Sequence, residues 1–270
     1  IQSQNQLLEK LHLSLSDLKK LRDIAHKVSI DFMCTFFDYS SLNYINDLSI
    51  KNIKIPSGEI DNVPYLEKIA SFNKPTFLST GLSNLNDIAE SIKILSKNGL
   101  DKKKITILHC TTSYPTKDED VRLSNINEIK KKFKCEVGFS DHSIGYSAAL
   151  GAITLGCKVI ERHFTLSKSL RGPDHLSSSN ISEFKNYILQ IRKLEKQIGL
   201  PRFNLDKILR ENKKMISKKI VAAAKIKKGD IFSVKNLTSK RSIKGISAKF
   251  WYDFIGKVST KNFDIDDPIF

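Results

Sequence analysis

Short apolar runs with strand character recur along the chain, each followed by turn residues and then by a stretch with helical spacing. The runs are I-D-F-M-C-T (30–35), N-I-K-I-P-S (52–57), P-T-F-L-S-T (75–80), I-T-I-L-H-C (105–110), E-V-G-F-S-D (136–141) and K-V-I-E-R-H-F (158–164). Their β-branched and aromatic residues suit a pleated surface, and the runs are too short for stable helices. Between them, apolar residues at a 3.6-residue period predict helices over 38–48, 63–70, 85–98, 123–133 and 146–155. The longest helical pattern, 181–198, follows the last strand; Asn180 or Ser182 is placed to cap it, and Gly199 then Pro201 end it. Residues 1–28 read as helix from the spacing of Leu7, Leu8, Leu11, Leu18, Leu21 and Ile24, so they add no strand.

Strands alternating with helices predict a parallel sheet with helical crossovers. A doubly wound sheet and a (β/α)8 barrel both satisfy that alternation, and the strand ends favour the barrel. Nearly every run closes on polar residues: Thr35, then Ser57 and Glu59, Ser79 and Thr80, Thr111 and Thr112, Ser140 to His142, and His163 with Thr165. A barrel brings such ends to one mouth, whereas an open sheet spreads them along an edge. The runs make six β/α units rather than eight. After Pro201 the pattern changes. Residues 201–217 are basic and weakly patterned and read as a linker, and 218–270 read as short strands joined by turns. The predicted organisation is a partial barrel over 1–200, a linker over 201–217 and a small domain over 218–270. That last piece is near the lower limit of independent stability and is expected to lean on a partner surface.

Composition excludes several classes of function. Lysine and arginine number 45 against 29 acidic residues, for a net charge of +16. The lysines are scattered, without interleaved aromatics or a nucleic-acid motif, so the excess reads as solvated surface and argues against nucleic-acid binding. The positive field still suits capture of an anionic substrate. No apolar run approaches the roughly 20 residues of a membrane span, and the opening I-Q-S-Q-N-Q-L-L-E-K lacks the pattern of a signal peptide. Cys34, Cys110, Cys135 and Cys157 are widely spaced with no C-x-x-C pair, which predicts free thiols and a cytoplasmic setting.

In V-I-E-R-H-F-T (159–165), a period of two puts Glu161 and His163 on one strand face and Arg162 on the other. His142 ends the preceding strand. Adjacent strands lie about 4.8 Å apart, so the two imidazoles are candidate ligands for one divalent ion, with water and substrate oxygen completing the shell. That donor set suits Mn2+ or Mg2+ better than structural zinc, although either histidine alone reads as a hydrogen-bonded core residue. Lys54, inside a strand, points to a buried anion partner. Glu161 either orients His163 or pairs with a lysine such as Lys54. Glu59 is evenly balanced between a general base and a helix cap. Tyr114-Pro115 and R-G-P-D-H (171–175) read as rigid loops over the mouth, with Asp174 and Arg171 suited to a polyol.

Taken in order, these segments resemble the sialic acid synthase family, which condenses phosphoenolpyruvate with an N-acetylated hexose. The matching stretches are K-I-P-S-G-E-I-D-N-x-P-Y-L (54–66), L-S-T-G-L-S (78–83), L-H-C-T-T-S-Y-P-T (108–116), G-F-S-D-H-S-I-G (138–145) and G-C-K-V-I-E-R-H-F-T-L…G-P-D-H (156–175). V-A-A-A-K-I-K-K-G-D (221–230) and K-R-S-I-K-G-I-S (240–247) resemble the family's antifreeze-like domain, a small β-clip fold. The resemblance implies a transferase of the N-acetylneuraminate synthase type, built as a (β/α)8 barrel that here lacks its first two strands. It implies that His142 and His163 bind the metal, and that Lys54, Ser57, Ser79, Thr35 and Ser140 hold phosphoenolpyruvate. Glu59 is implied as the group that handles the proton of the attacking water, and Glu161 is placed with it among the catalytic candidates. Thr112, Tyr114 and Asp174 are implied as sugar contacts. Arg241 is implied to reach the N-acetyl group in the other subunit's site, which makes the protein a homodimer with exchanged C-terminal domains. N-acetylmannosamine is the first sugar expected. A legionaminic acid synthase acting on a diacetylated hexose, and a truncated sugar-binding homologue without catalysis, are the alternatives. Cys34 and Phe36 replace the family's usual serine and proline beside Thr35, Ser167 stands where aspartate is common, and Thr112 stands where asparagine or serine occurs.

Overall fold

The computed structural model describes residues 12–201 and 203–270, and the chain divides after Gly199 into two compact units. In the first unit, α1 (Leu15–Lys27) is capped by Ser14, whose hydroxyl accepts from the Asp17 amide. The predicted helix over 38–48 is a 3-10 turn (Ser41–Asn43) running into the single helical turn α2 (Tyr44–Asp47). Strand and helix then alternate: β1 (Ile53–Ile55), α3 (Val63–Ser71), β2 (Thr76–Ser79), α4 (Leu85–Lys97) and β3 (Ile105–His109). The short α5 (Asp118–Val121), α6 (Asn125–Phe133), β4 (Glu136–Asp141), α7 (Ser147–Thr154), β5 (Ile160–Arg162) and α8 (Ile181–Ile198) complete the unit. Asn180, not Ser182, caps α8, in a reciprocal capping box with Glu183.

The five strands form one parallel sheet in sequence order. Its register sorts the side chains by face. Ile53, Ile55, Leu78, Ile105, Ile107 and Val137 share the outer face and pack with Leu66 and Ile69 of α3, Leu95 of α4, and Ile126 and Ile129 of α6. Lys54, Ser79, Ser140 and Glu161 fall on the inner face. The sheet is curled into a half-barrel. Four steps of about 4.8 Å would hold β1 and β5 about 19 Å apart in a flat sheet, further than a lysine and a glutamate reach together. Yet Lys54 of β1 bonds Glu161 of β5 at 2.6 Å. Ser179 adds one further residue of parallel pairing beside β5, through a bridge with Phe164 that the polar run S-S-S did not predict.

Two expectations need correction. Residues 30–35 form no strand. A strand is defined by its ladder, and among the described residues none runs beside this segment. Its fixed points are the Lys51–Asp31 ion pair at 2.6 Å and Phe36, which is buried and whose carbonyl accepts from the Tyr65 hydroxyl at 2.7 Å. The stretch read as linker contains a ten-residue helix, α9 (Lys207–Ile216), capped by Asp206. None of its residues is buried, so its apolar spacing was diluted by lysines. Of the helix read over 1–28, residues 1–11 lie outside the described residues.

The second unit pairs β6 (Lys218–Ala222) with β7 (Leu237–Arg241) antiparallel, followed by the short α10 (Trp251–Phe254). Ile220, Ala222, Ile226, Phe232, Leu237, Phe263 and Ile269 form its own core. Among the described residues no helix is long and apolar enough to cross a membrane.

Gly138 shows how tightly the half-barrel is drawn. A Cβ there would lie 2.6 Å from Leu108 Cδ2 and 2.7 Å from the Val159 carbonyl oxygen, a backbone atom held in the sheet. Gly138→Ala is therefore expected to destabilise the first unit by at least about 1–3 kcal/mol. Urea unfolding followed by far-UV circular dichroism measures this, and an unchanged midpoint would contradict the close approach.

Candidate active site

The C-terminal ends of β1, β4 and β5 bring together a cation, a carboxylate, a hydroxyl and two imidazoles. Ser140 and Glu161 are register partners, as are Asp141 and Arg162, so one residue further on His142 stands opposite His163. Glu161 is the hub. One carboxylate oxygen accepts from Lys54 Nζ and the other from Ser140 Oγ, both at 2.6 Å. Burial acts to raise the Glu161 carboxyl, but the Lys54 charge and these two donors outweigh it and hold it below the usual glutamate value. Of the two readings of Glu161, the ion pair with Lys54 is the one present.

The histidine rings meet edge-on with centroids 5.2 Å apart. His142 Nδ1 lies 2.8 Å from the Thr111 carbonyl oxygen, which only accepts, so Nδ1 carries the proton and Nε2 holds the free lone pair. Burial pushes the His142 pKa down, which keeps the ring neutral. Nε2 faces Ser140 Oγ at 3.3 Å, but the single hydroxyl proton is directed to Glu161 at 2.6 Å. Among the described residues the lone pair thus meets no good donor, as a metal-ligating imidazole requires. His163 Nδ1 is 3.9 Å from Asp174 Oδ2. Among the described residues no cluster of three or more His, Cys, Asp or Glu side chains is placed to hold an ion. The donor set that fits is the histidine pair, with the remaining positions left to other oxygen ligands.

Around this centre, Tyr114 lies over His142 with ring centroids 4.3 Å apart and over His163 at 5.5 Å. Burial raises its phenol pKa. Ser79 ends β2 on the inner face. Among the described residues its buried hydroxyl has no hydrogen-bond partner within bonding geometry, and its neighbour is the weakly polar Cys110 thiol. Cys110, pushed up by burial, stays a thiol. The Thr112 hydroxyl sits against Gly81, where a Cβ would come within 2.2 Å of it.

Other candidates are less engaged. Ser57 and Glu59 span a 3-10 turn after β1, and Glu59 accepts from the Asn62 side chain at 2.6 Å, as a local turn contact would. Thr35 is half-buried in the segment before α2, which forms neither helix nor strand. Asp174 is exposed, with its carbonyl taking the Ser177 and Ser178 hydroxyls. Arg241 ends β7 in the second unit, exposed. A hollow of about 550 Å3 lies between α4 and α6, lined in part by Asn84, Arg122 and Glu128, and none of the candidate residues lines it. Sequence reasoning missed Thr111, whose carbonyl sets the His142 tautomer, and the buried trio Asp141, Arg162 and Tyr187. The period-two reading had already put Arg162 opposite His163, but nothing in the local sequence names a partner 46 residues from Asp141.

A parallel half-barrel that gathers a paired lysine, hydroxyls and two facing imidazoles at its strand ends defines an α/β protein with a polar site at the mouth of its sheet. Comparison with known proteins makes this specific: the chain belongs to the NeuB family, whose model matches residues 1–202, and an SAF domain matches 219–270. The chain is 45% identical over 268 residues to the N,N'-diacetyllegionaminic acid synthase of Campylobacter jejuni, across 99% of this chain and 80% of that protein. It is 31% identical over 267 residues to the human N-acetylneuraminate-9-phosphate synthase, across 96% of this chain and 73% of that one. The structure is similar to an N-acetylneuraminic acid synthetase from Leptospira borgpetersenii in complex with citrate, with a TM-score of 0.70 and 28% identity over 77% of this chain and 72% of that one.

Because the Ser79 hydroxyl has no bonded partner to lose among the described residues, Ser79→Ala is expected to leave stability within about 0.5 kcal/mol of wild type. A thermal melt tests this, and a loss several times larger would mean that the hydroxyl is bonded in the folded chain.

Proposed function

We propose that the protein condenses phosphoenolpyruvate with an N-acetylated hexose and water, giving a nine-carbon ulosonic acid and phosphate. The observation that carries this reading is the pairing of β4 with β5, which sets Ser140 opposite Glu161 and His142 opposite His163 with Lys54 reaching across. Membership of the NeuB family supports it. The half-barrel is read as a sector of a (β/α)8 barrel to which its five parallel strands belong.

Lys54 keeps donors beyond the one given to Glu161, and with Ser79, Ser140, Ser57 and Thr35 it holds the anionic groups of phosphoenolpyruvate. This contribution is positional and electrostatic. His142 and His163 hold Mn2+ or Mg2+, whose chemistry when bound is that of a Lewis acid toward the sugar aldehyde. C3 of phosphoenolpyruvate attacks the aldehyde carbon, positive charge develops at C2, and water adds there. The water's proton passes to Glu59, the former aldehyde oxygen takes up a proton, and the tetrahedral carbon expels phosphate by C–O cleavage as its hydroxyl becomes the C2 carbonyl. Tyr114, Thr112 and Asp174 orient the sugar. Arg241 completes the site of a second copy in a homodimer, and the setting is cytoplasmic. N-acetylmannosamine is the first substrate to try. The second reading, a diacetylated hexose, is favoured by the 45% identity to the C. jejuni protein.

Phosphate release in the presence of phosphoenolpyruvate, Mn2+ and each sugar tests the proposal, for these 270 residues and for a polypeptide extended by the family's first two strands. Release with a single sugar assigns the substrate. No release from the extended polypeptide with any acetylated hexose would overturn the reading in favour of a non-catalytic sugar-binding homologue. In an active protein, Ser79→Ala is expected to raise KM for phosphoenolpyruvate by about 10–150-fold, the worth of one charge-assisted hydrogen bond, and His142→Ala is expected to abolish Mn2+ dependence along with turnover.

A further inference from the structure

Behind the two imidazoles, on the outer face of the same strands, lies a charged cluster that the proposed chemistry does not use. The Asp141 side chain is fully buried, and that of Arg162 is 5% exposed. Asp141 Oδ1 accepts from the Ser143 amide at 2.9 Å and the Ser143 hydroxyl at 2.6 Å. Its Oδ2 accepts from the Tyr187 hydroxyl at 2.9 Å and lies 3.3 Å from Arg162 Nη1. The Arg162 guanidinium sits over the Tyr187 ring at 5.3 Å, and its Nε donates to Ser179 Oγ at 2.9 Å. The same Nη1 donates to the backbone carbonyls of Asp141 and Ser143.

Those two carbonyls flank His142, and Arg162 itself is bonded in sequence to His163. One guanidinium therefore grips the backbone on both sides of the first imidazole while its own backbone carries the second. Around it, Asp141 and Tyr187 fix the fork from β4 and α8, and Ser179 fixes it from the bridge beside β5. Slippage of β5 by one residue would send His163 to the helix face and Arg162 into the mouth. A lysine in place of Arg162 keeps the charge but lacks the planar fork that reaches both carbonyls and Ser179 at once. A buried ion pair is a poor device for stability alone, since apolar residues of similar volume often serve as well. Its value here lies in geometry.

We infer that Arg162, held by Asp141 and Tyr187, is a positioning residue that sets the separation and mutual orientation of His142 and His163, and so the affinity of the pair for a divalent ion. This rests on the reading of the two histidines as metal ligands. The experiment uses the metal alone. Free Mn2+ is counted by its electron paramagnetic resonance signal in titrations of wild type, Arg162→Lys, Tyr187→Phe and His142→Ala, well below each melting temperature. The visible spectrum of bound Co2+ reports ligand geometry. Supporting groups behind metal-bound histidines typically change affinity by about 10–100-fold when altered. Arg162→Lys is expected near the upper end of that range with a changed Co2+ spectrum. Tyr187→Phe, which keeps the ring beneath the guanidinium, is expected near the lower end, and it decides the matter if Arg162→Lys does not fold. Wild-type affinity and an unchanged Co2+ spectrum in both folded variants, with binding lost in His142→Ala, would overturn the inference and leave the metal reading standing. Equal binding in wild type and His142→Ala, or none in either, removes the metal reading and the inference with it.

Discussion

A lysine and a glutamate meet across the interior of the curled half-barrel. Lys54 and Glu161 belong to the first and last strands of the sheet, so their 2.6 Å contact exists only while the three strands between them keep their twist. The ion pair is partly shielded, with the lysine side chain 12% exposed and the glutamate 34%. Neither charge is desolvated alone, which is the condition for keeping charged groups inside a sheet. The pair also sets the electrostatics of the mouth. An unpaired lysine would present a full positive charge. Beside Glu161, Lys54 presents directed N–H donors with much of its charge compensated.

Each strand end serves two purposes because its side chains alternate. In β4, Ser140 and the following His142 point inward to the proposed chemistry, while Asp141 between them points outward to α8. In β3, His109 faces the outer layer and lies 2.8 Å from the Val121 carbonyl oxygen. Burial pushes its pKa down, so it is a neutral, bonded core histidine of the kind that a sequence cannot distinguish from a ligand. The identity of the residue decides less than the face it occupies.

That explains which parts were legible in the sequence. The run 159–165 alternates so plainly that the inner placement of Glu161 and His163 followed from it, and the long helix 181–198 was framed by its own cap and its terminal glycine. Residues 30–35 carry equally good strand chemistry, yet they have no ladder. Strand propensity describes a surface suited to pairing, and pairing is supplied by a neighbour that the local sequence does not contain. The single-residue bridge at Ser179 fails in the opposite direction, since three buried serines give no apolar signal at all. Helix α9 was hidden by composition, because its amphipathic face covers none of the described core and its lysines dominate the window.

The candidate residues also differ in what supports them, and that difference orders how far each can be relied on to hold a position. Lys54, Ser79, Ser140 and His142 stand on or just beyond strands, with burial or hydrogen bonds fixing their side chains. Groups so held are already in place before a ligand arrives, and fixed donors of that kind contribute most where charge develops. Tyr114 and Asp174 sit on connecting loops and are 42% exposed and exposed, respectively. Tyr114 is steadied by packing against the His142 ring, whereas among the described residues the Asp174 carboxylate has only the distant His163 contact of 3.9 Å. In the proposed chemistry the strand-borne set meets the part of the substrate that never varies, and the loop-borne set the part that does. A rigid scaffold with adjustable loops is how barrel-type folds change specificity without rebuilding their chemistry, and the division between the two sets here follows the line between ladder and loop.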